Sequence, residues 1–149
     1  MKQIQIFCDG SSLGNPGYGG YCAILRYIGK NGISEKIISG SLAKATNNQM
    51  ELMAVIEALK ILKQPCEITL ISDSKYVCDG ISTWIFNWIK KDFKGVKNPL
   101  LWKEYLSLSQ PHRIKTIWVK GHNNHPENEK CDTIARAEAL KLKESYAST

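Results

Sequence analysis

Thr46-Asn47-Asn48-Gln49-Met50-Glu51-Leu52-Met53-Ala54-Val55-Ile56-Glu57-Ala58-Leu59-Lys60-Ile61-Leu62 is the stretch where the chain changes period. Leu52, Val55, Ile56, Leu59 and Leu62 recur at the spacing of one helix face, and Thr46 with Gln49 three residues on has the form of a capping box. The pattern predicts a helix from about Asn47 to Lys63, stopped by Pro65. Upstream the period is two. Ile4, Ile6 and Cys8 alternate with polar neighbours, which predicts a strand ending near Asp9. Gly10 to Gly20 holds Gly14, Pro16, Gly17 and Gly19 and reads as turn chemistry. Tyr21–Ile28 and Ile33–Leu42 are predicted strands joined by the hairpin signal Gly29-Lys30-Asn31-Gly32.

Downstream of Pro65, Glu67–Ser72 is a short apolar strand, and Asp73-Ser74 caps a predicted helix from Ser74 to Gly80. A second helix, rich in tryptophan, is predicted from Ser82 to Lys91, then a lysine-bearing loop over 92–99 and a helix over Leu101–Leu108. Arg113–Lys120 alternates as a last strand, Gly121–Pro126 is a loop, and Glu127–Glu144 is a final helix with Cys131, Ile134, Ala135 and Leu142 on one side. The order is β-β-β-α-β-α-α-α-β-α. It predicts an α/β fold with a mixed sheet flanked by helices. The chain shows no repeat, linker or low-complexity segment, so residues 1–149 are expected to form one domain.

Composition narrows the function. With 149 residues, 43% hydrophobic and 23% charged, the chain has a globular balance and can bury a core unaided. No apolar run reaches membrane-spanning length, and the alternating start Met1–Ile6 is unlike a signal peptide. Twenty Lys and Arg against fourteen Asp and Glu give a net charge of +6, which favours a polyanionic partner. Cys8, Cys22, Cys66, Cys78 and Cys131 are odd in number and never in a C-x-x-C pair, so reduced thiols in a cytoplasmic setting are expected rather than disulfides or zinc.

The acids sit in unusual places. Asp9 and Asp73 each follow an apolar strand, at the carboxyl ends where α/β sheets gather ligands. Glu51 lies early in the long helix between Met50 and Leu52, and Asp132 near the start of the last helix. Taken singly, Asp9 suits a turn and Asp73 a helix cap. Taken together, four like charges that converge need a counter-cation, and an all-oxygen donor set suits Mg²⁺ or Mn²⁺. His122 follows Gly121 on a loop, and an ordinary imidazole pKa near about 6.5 suits proton handling or product release.

Four segments, in order and at similar spacing, resemble bacterial ribonuclease H, type 1. They are Phe7-Cys8-Asp9-Gly10-Ser11, Thr46 to Leu52, Ser72-Asp73-Ser74-Lys75-Tyr76-Val77, and Val119-Lys120-Gly121-His122 through His125-Pro126-Glu127-Asn128-Glu129-Lys130-Cys131-Asp132. The resemblance implies a five-stranded mixed sheet with helices on both faces. It also implies endonucleolytic hydrolysis of the RNA strand of an RNA–DNA hybrid. The family's acids fall on Asp9, Glu51, Asp73 and Asp132, and its loop histidine on His122, supported from outside by His125 and Glu129. Two Mg²⁺ ions, or Mn²⁺ in their place, are implied with substrate bound. Asp9 would bridge them, Asp73 and Asp132 complete the set, and Glu51 bind one ion and reach the ribose. Products would carry 5′-phosphate and 3′-hydroxyl ends.

By the same resemblance, Ser12, Asn15, Asn47 and Asn48 read the hybrid, where the 2′-hydroxyl marks RNA. Thr46 with Asn15 resembles a pocket for a DNA phosphate, although Thr46 also serves as a helix cap. Trp84, Trp88, Lys90, Lys91, Phe93, Lys94, Lys97, Trp102 and Lys103 resemble the basic handle that grips DNA. Trp84 and Trp88 are four apart, which suits packing, and the lysines suit phosphate contact. The stretch between Trp88 and Trp102 is shorter than in the longest versions of the family. Little sequence preference, a monomeric state and no membrane association are expected, and a single-strand-binding protein partner is left open.

Three other readings are weighed against it. A silent hybrid-binding domain should have lost at least one acid, and all four are present. A DNA-cutting nuclease of the same fold would not need the tryptophan–lysine handle and the Thr46-Asn47-Asn48 reader. A phosphatase would need an Asp-x-Asp pair at the strand end, where Asp9 is followed by Gly10-Ser11.

Overall fold

The structure is a computed structural model and describes residues 1–121 and 125–147. Five strands form one mixed sheet in the order β3-β2-β1-β4-β5: β1 (Lys2–Ser12), β2 (Gly17–Gly29), β3 (Gly32–Ala45), β4 (Cys66–Ser72) and β5 (Arg113–Trp118). β1, β2 and β3 make an antiparallel meander, and β1, β4 and β5 run parallel. The helices are α1 (Asn47–Lys60), α2 (Lys75–Asp79), α3 (Ile85–Lys90), α4 (Pro99–Ser109) and α5 (Pro126–Ala147).

The sheet has a core on each side. Ile4, Ile6, Cys8, Ile68 and Leu70 pack with Leu52, Val55, Ile56 and Leu59 of α1 and with Trp102 and Tyr105 of α4. Phe7, Cys22 and Ile24 on the opposite face pack with Cys131 and Ala135 of α5. The alternation of β1 is therefore real on both faces: even positions meet α1, and Phe7 meets α5. Among the described residues no helix is long and apolar enough to cross a membrane.

The five-stranded mixed sheet and its helices follow the sequence expectation, but several boundaries move. β1 runs past Asp9 to Ser12, and β2 begins at Gly17, so much of the 10–20 stretch is strand rather than turn. The antiparallel ladder carries on to Ser12 opposite Gly19, while the parallel ladder to β4 stops at Cys8 opposite Ser72. β3 likewise extends to Ala45. α1 ends at Lys60, not Lys63, because Ile61 and Leu62 tighten into three-residue turns onto Ala58 and Leu59 before Pro65. The two helices expected between Ser74 and Lys91 are one continuous helical run, widened by a π-turn over Gly80–Trp84. The Trp102 ring lies against Gly80, where a Cβ would overlap it. α4 starts at Pro99, α5 reaches from Pro126 to Ala147, and β5 stops at Trp118.

Candidate active site

Asp9 and Asp73 come together through strand pairing. Cys8 faces Ser72 on the last parallel rung, and each aspartate is the next residue on its strand. Adjacent strands lie about 4.8 Å apart, so the two carboxylates leave the sheet side by side. Glu51 is brought to them by Gly10. A Cβ on Gly10 would overlap the α1 backbone at Met50 and Glu51, so only glycine lets β1 touch the helix there. Gly20 does the same for α5: a Cβ would overlap the Ala135 carbonyl, three residues beyond Asp132. The glycines that read as turn residues are thus packing residues that seat two acid-bearing helices on the sheet.

Asp9 is buried, at 4% exposure, and its Oδ1 accepts the Gly10 N–H at 2.9 Å. Burial pushes its carboxyl up to about 9; Asp73, Asp132 and Glu51 add to the rise, and the Gly10 bond opposes it. Burial raises Glu51 to about 7, Asp73 adds to it, and a hydrogen bond from Ser74 lowers it. The Ser74 hydroxyl oxygen also accepts the Val77 N–H at 3.1 Å, capping α2. Buried Asn128 donates Nδ2 to Asp73 Oδ2 at 3.5 Å, and Trp118 donates Nε1 to the Asp73 carbonyl at 2.9 Å. Lys75 lies over the Trp118 ring, 4.7 Å from its centroid. Asp132 accepts from Arg136 Nε at 3.2 Å, an exposed pair one turn along α5 and of small energetic weight.

No ion pair among the described residues reaches Asp9, Glu51 or Asp73. Asp9 and the three carboxylates that press on it, with Asp9 and Glu51 both driven towards their neutral forms, are a donor set for a hard divalent cation. As the side chains are turned here, no three Asp, Glu, His or Cys among the described residues close on one point. Ligation by three of the acids therefore takes side-chain rotation, with water and substrate oxygens filling the remaining positions.

The predicted reader residues also gather. Ser12 N–H donates to Asn47 Oδ1 at 2.8 Å, and Asn47 N–H donates to Asn15 Oδ1 at 3.1 Å. Ser12 Oγ bonds the carbonyls of Gly14 and Ala45. Thr46 caps α1 reciprocally with Gln49, and Asn47 and Asn48 are exposed at the helix start. At and just beyond the end of α3, Lys90, Lys91 and Lys94 are exposed. Trp88 packs edge-on to Trp102 at 5.0 Å between ring centroids, and Trp84 leans on Trp88 at 6.0 Å while staying 41% exposed. Packing is thus the observed role of Trp88, and Trp84 keeps an open face.

His122 lies outside the described residues. Of its expected supporters, Glu129 is exposed and donates its N–H to the His125 carbonyl at 2.9 Å, the first turn of α5. Ser74 caps α2 as the sequence predicts, but its contact with Glu51, and those of Asn128 and Trp118 with Asp73, are tertiary and carry no local sequence signal. Asn128 continues the buried face of Cys131, Ala135 and Ala139 by one helical turn, and its polar side chain among Glu127, Glu129 and Lys130 is what hid its burial in the sequence.

Comparison with known proteins agrees with this geometry. The RNase H family model matches residues 1–140. The ribonuclease H of Helicobacter pylori (strain HPAG1) is 61% identical over 141 residues, covering 95% of this chain and 96% of the relative. That of Campylobacter concisus (strain 13826) is 55% identical over 144 residues, covering 97% of each chain. Among solved structures, LC9-RNase H1, described as a type 1 RNase H with the type 2 active-site motif, superposes with a TM-score of 0.87 at 28% identity, over 94% of this chain and 73% of that one. With near-complete coverage by such relatives and the acids gathered at the sheet's carboxyl edge, the chain belongs to the RNase H family and is a ribonuclease H enzyme.

Proposed function

We propose that the chain is an endonuclease that hydrolyses the RNA strand of RNA–DNA hybrids with two divalent cations, Mg²⁺ or Mn²⁺. Its products carry 5′-phosphate and 3′-hydroxyl ends. The observation that carries this reading is Asp9: a buried carboxylate pushed up to about 9 by burial and by three neighbouring acids, with no ion pair among the described residues to offset it. Such a group is costly unless a cation is bound.

Asp9, Glu51, Asp73 and Asp132 would hold the ions. When bound, these supply charge neutralisation at the scissile phosphate and acidify water beside it. The chain's own residues do the rest. Asn128 and Trp118 steady Asp73 through its carboxylate and its carbonyl. Ser74 holds Glu51 by a side-chain hydrogen bond. Ser12, Asn15, Thr46, Asn47 and Asn48 present amides and hydroxyls to the sugar 2′-hydroxyl and to phosphate, contacts that carry little base information. Lys90, Lys91 and Lys94, with the open face of Trp84, grip the DNA strand. His122 moves a proton or speeds product release. The chain works as a monomer in the cytoplasm, and five buried cysteines without disulfides suit a reducing compartment.

The test is incubation with a labelled RNA–DNA hybrid and the matching RNA and DNA duplexes, in Mg²⁺ with and without chelator. Cleavage confined to the RNA of the hybrid, with 5′-phosphate ends and silenced by chelator, is expected. Cleavage of duplex DNA, cleavage that survives chelation, or hybrid binding without cleavage contradicts the proposal.

A further inference from the structure

The lysine-bearing stretch between α3 and α4 has a backbone that its own residues disfavour. Asp92, Phe93 and Asn98 have φ of 51°, 59° and 55°, and they are the non-glycine residues of positive φ among the described residues. A side chain rarely adopts this conformation, and it persists only where surrounding contacts over-determine it. Two anchors do so here. Phe93 is buried and donates its N–H to the Trp88 carbonyl at 2.8 Å. Asn98 is held by a chain of side-chain hydrogen bonds that crosses to α1.

That chain has a fixed direction. Thr46 N–H donates to Gln49 Oε1 at 2.9 Å, which leaves the Gln49 amide nitrogen to donate to Asn98 Oδ1 at 3.2 Å. Asn98 Nδ2 in turn donates to the Tyr76 hydroxyl oxygen at 3.1 Å, and Trp102 Nε1 donates to the same oxygen at 2.8 Å. The Tyr76 and Trp102 rings meet edge-on at 5.6 Å. The C-terminal end of α1 is joined to the middle of α4 as well, by Lys60 and Glu104 at 3.2 Å.

We propose that Tyr76 is a positioning residue for the substrate grip. Its hydroxyl, acting through Asn98 and Gln49, locks the 91–98 stretch to the Thr46–Asn48 end of α1. The lysines and the reader residues then stand at a set separation before substrate arrives. The inference rests on the proposed function, in which those two groups share one substrate. Pre-setting a contact surface lowers the cost of ordering it on binding.

Tyr76→Phe keeps the ring and removes the double acceptor. It is expected to raise KM for hybrid about fivefold with kcat within about twofold, the size of one lost hydrogen-bonding partner. On a Lys90→Ala/Lys91→Ala/Lys94→Ala background the same change is expected to move KM by less than about 1.5-fold, because the stretch no longer grips. Thermal melts place each variant above its folding threshold at the assay temperature. An unchanged KM in Tyr76→Phe, or an equal rise on both backgrounds, overturns the proposal, since a merely structural tyrosine acts alike on both. If the triple lysine variant itself binds hybrid normally, it is the handle reading that fails, and the latch with it.

Discussion

Asp9 and Asp73 are each the first residue beyond the last rung of one parallel ladder, where Cys8 faces Ser72. The sheet therefore sets two carboxylates at neighbouring strand spacing, and burial with mutual repulsion pushes Asp9 up to about 9. Removing either charge should silence the chemistry without disturbing the surfaces that meet nucleic acid. Asp9→Asn and Asp73→Asn are expected to lower kcat by about a thousandfold or more while the Kd for hybrid in Mg²⁺ stays within a few-fold. Near-normal turnover by either purified variant removes the ligand assignment.

The same burial makes the metal-free protein sensitive to pH. Asp9 and Glu51 hold protons more tightly folded than unfolded, at about 9 and about 7. Their contribution to stability is full below about pH 4, the unfolded carboxylate value, and is lost as pH rises through those folded values. In chelator, the Tm of the wild type is expected to fall between pH 5 and 9 relative to Asp9→Asn, which should melt about 4 °C or more higher at pH 8. A wild type that gains on the variant as pH rises contradicts the burial argument.

Glu51 reaches the site because Gly10 lets β1 touch α1. Gly10→Ala places a methyl against the backbone of Met50 and Glu51, where neither side can yield as a side chain would. A loss of about 2–4 kcal/mol is expected, larger than an ordinary overpacking cost, together with reduced activity as Glu51 shifts. Denaturant unfolding measures the first effect. A neutral substitution shows that the contact is loose.

Lys90, Lys91 and Lys94 are exposed and carry positive charge beside the Trp84–Trp88–Trp102 stack. Replacing all three with Ala should raise KM and reduce the slope of log KM against log salt by up to about 2–3, one for each lost phosphate contact. Steady-state kinetics between low and moderate salt reads the slope directly, and an unchanged slope tells against the handle.

The order of elements, the capping box at Thr46 and Gln49, and the strand-end positions of Asp9 and Asp73 were legible because each is local: a period, a cap, a run that stops. The extension of β1 to Ser12 was not, because Gly10-Ser11-Ser12 carries turn residues and is held in strand only by its partner β2. Gly20 read as a turn residue for the same reason, although its real constraint is the Ala135 carbonyl of α5. Gly80, where the π-turn begins, packs against the Trp102 ring twenty-two residues away in sequence, and the link from Gln49 through Asn98 to Tyr76 joins three separate segments. Such features arise from packing between elements, which no window on one chain segment contains. His122 was read from its loop and its motif, and lies outside the described residues.

We propose that Asp9, Glu51, Asp73 and Asp132 form one divalent-cation site, and calorimetric titration of Mg²⁺ into the substrate-free protein at pH 8, wild type beside Asp9→Asn, decides it. Saturable binding by the wild type is expected, with release of up to about one proton from Asp9 and Glu51 together, and binding at least about tenfold weaker in the variant without that release. Absence of binding by the wild type, or equal affinity in both proteins, would show that these acids hold no such ion.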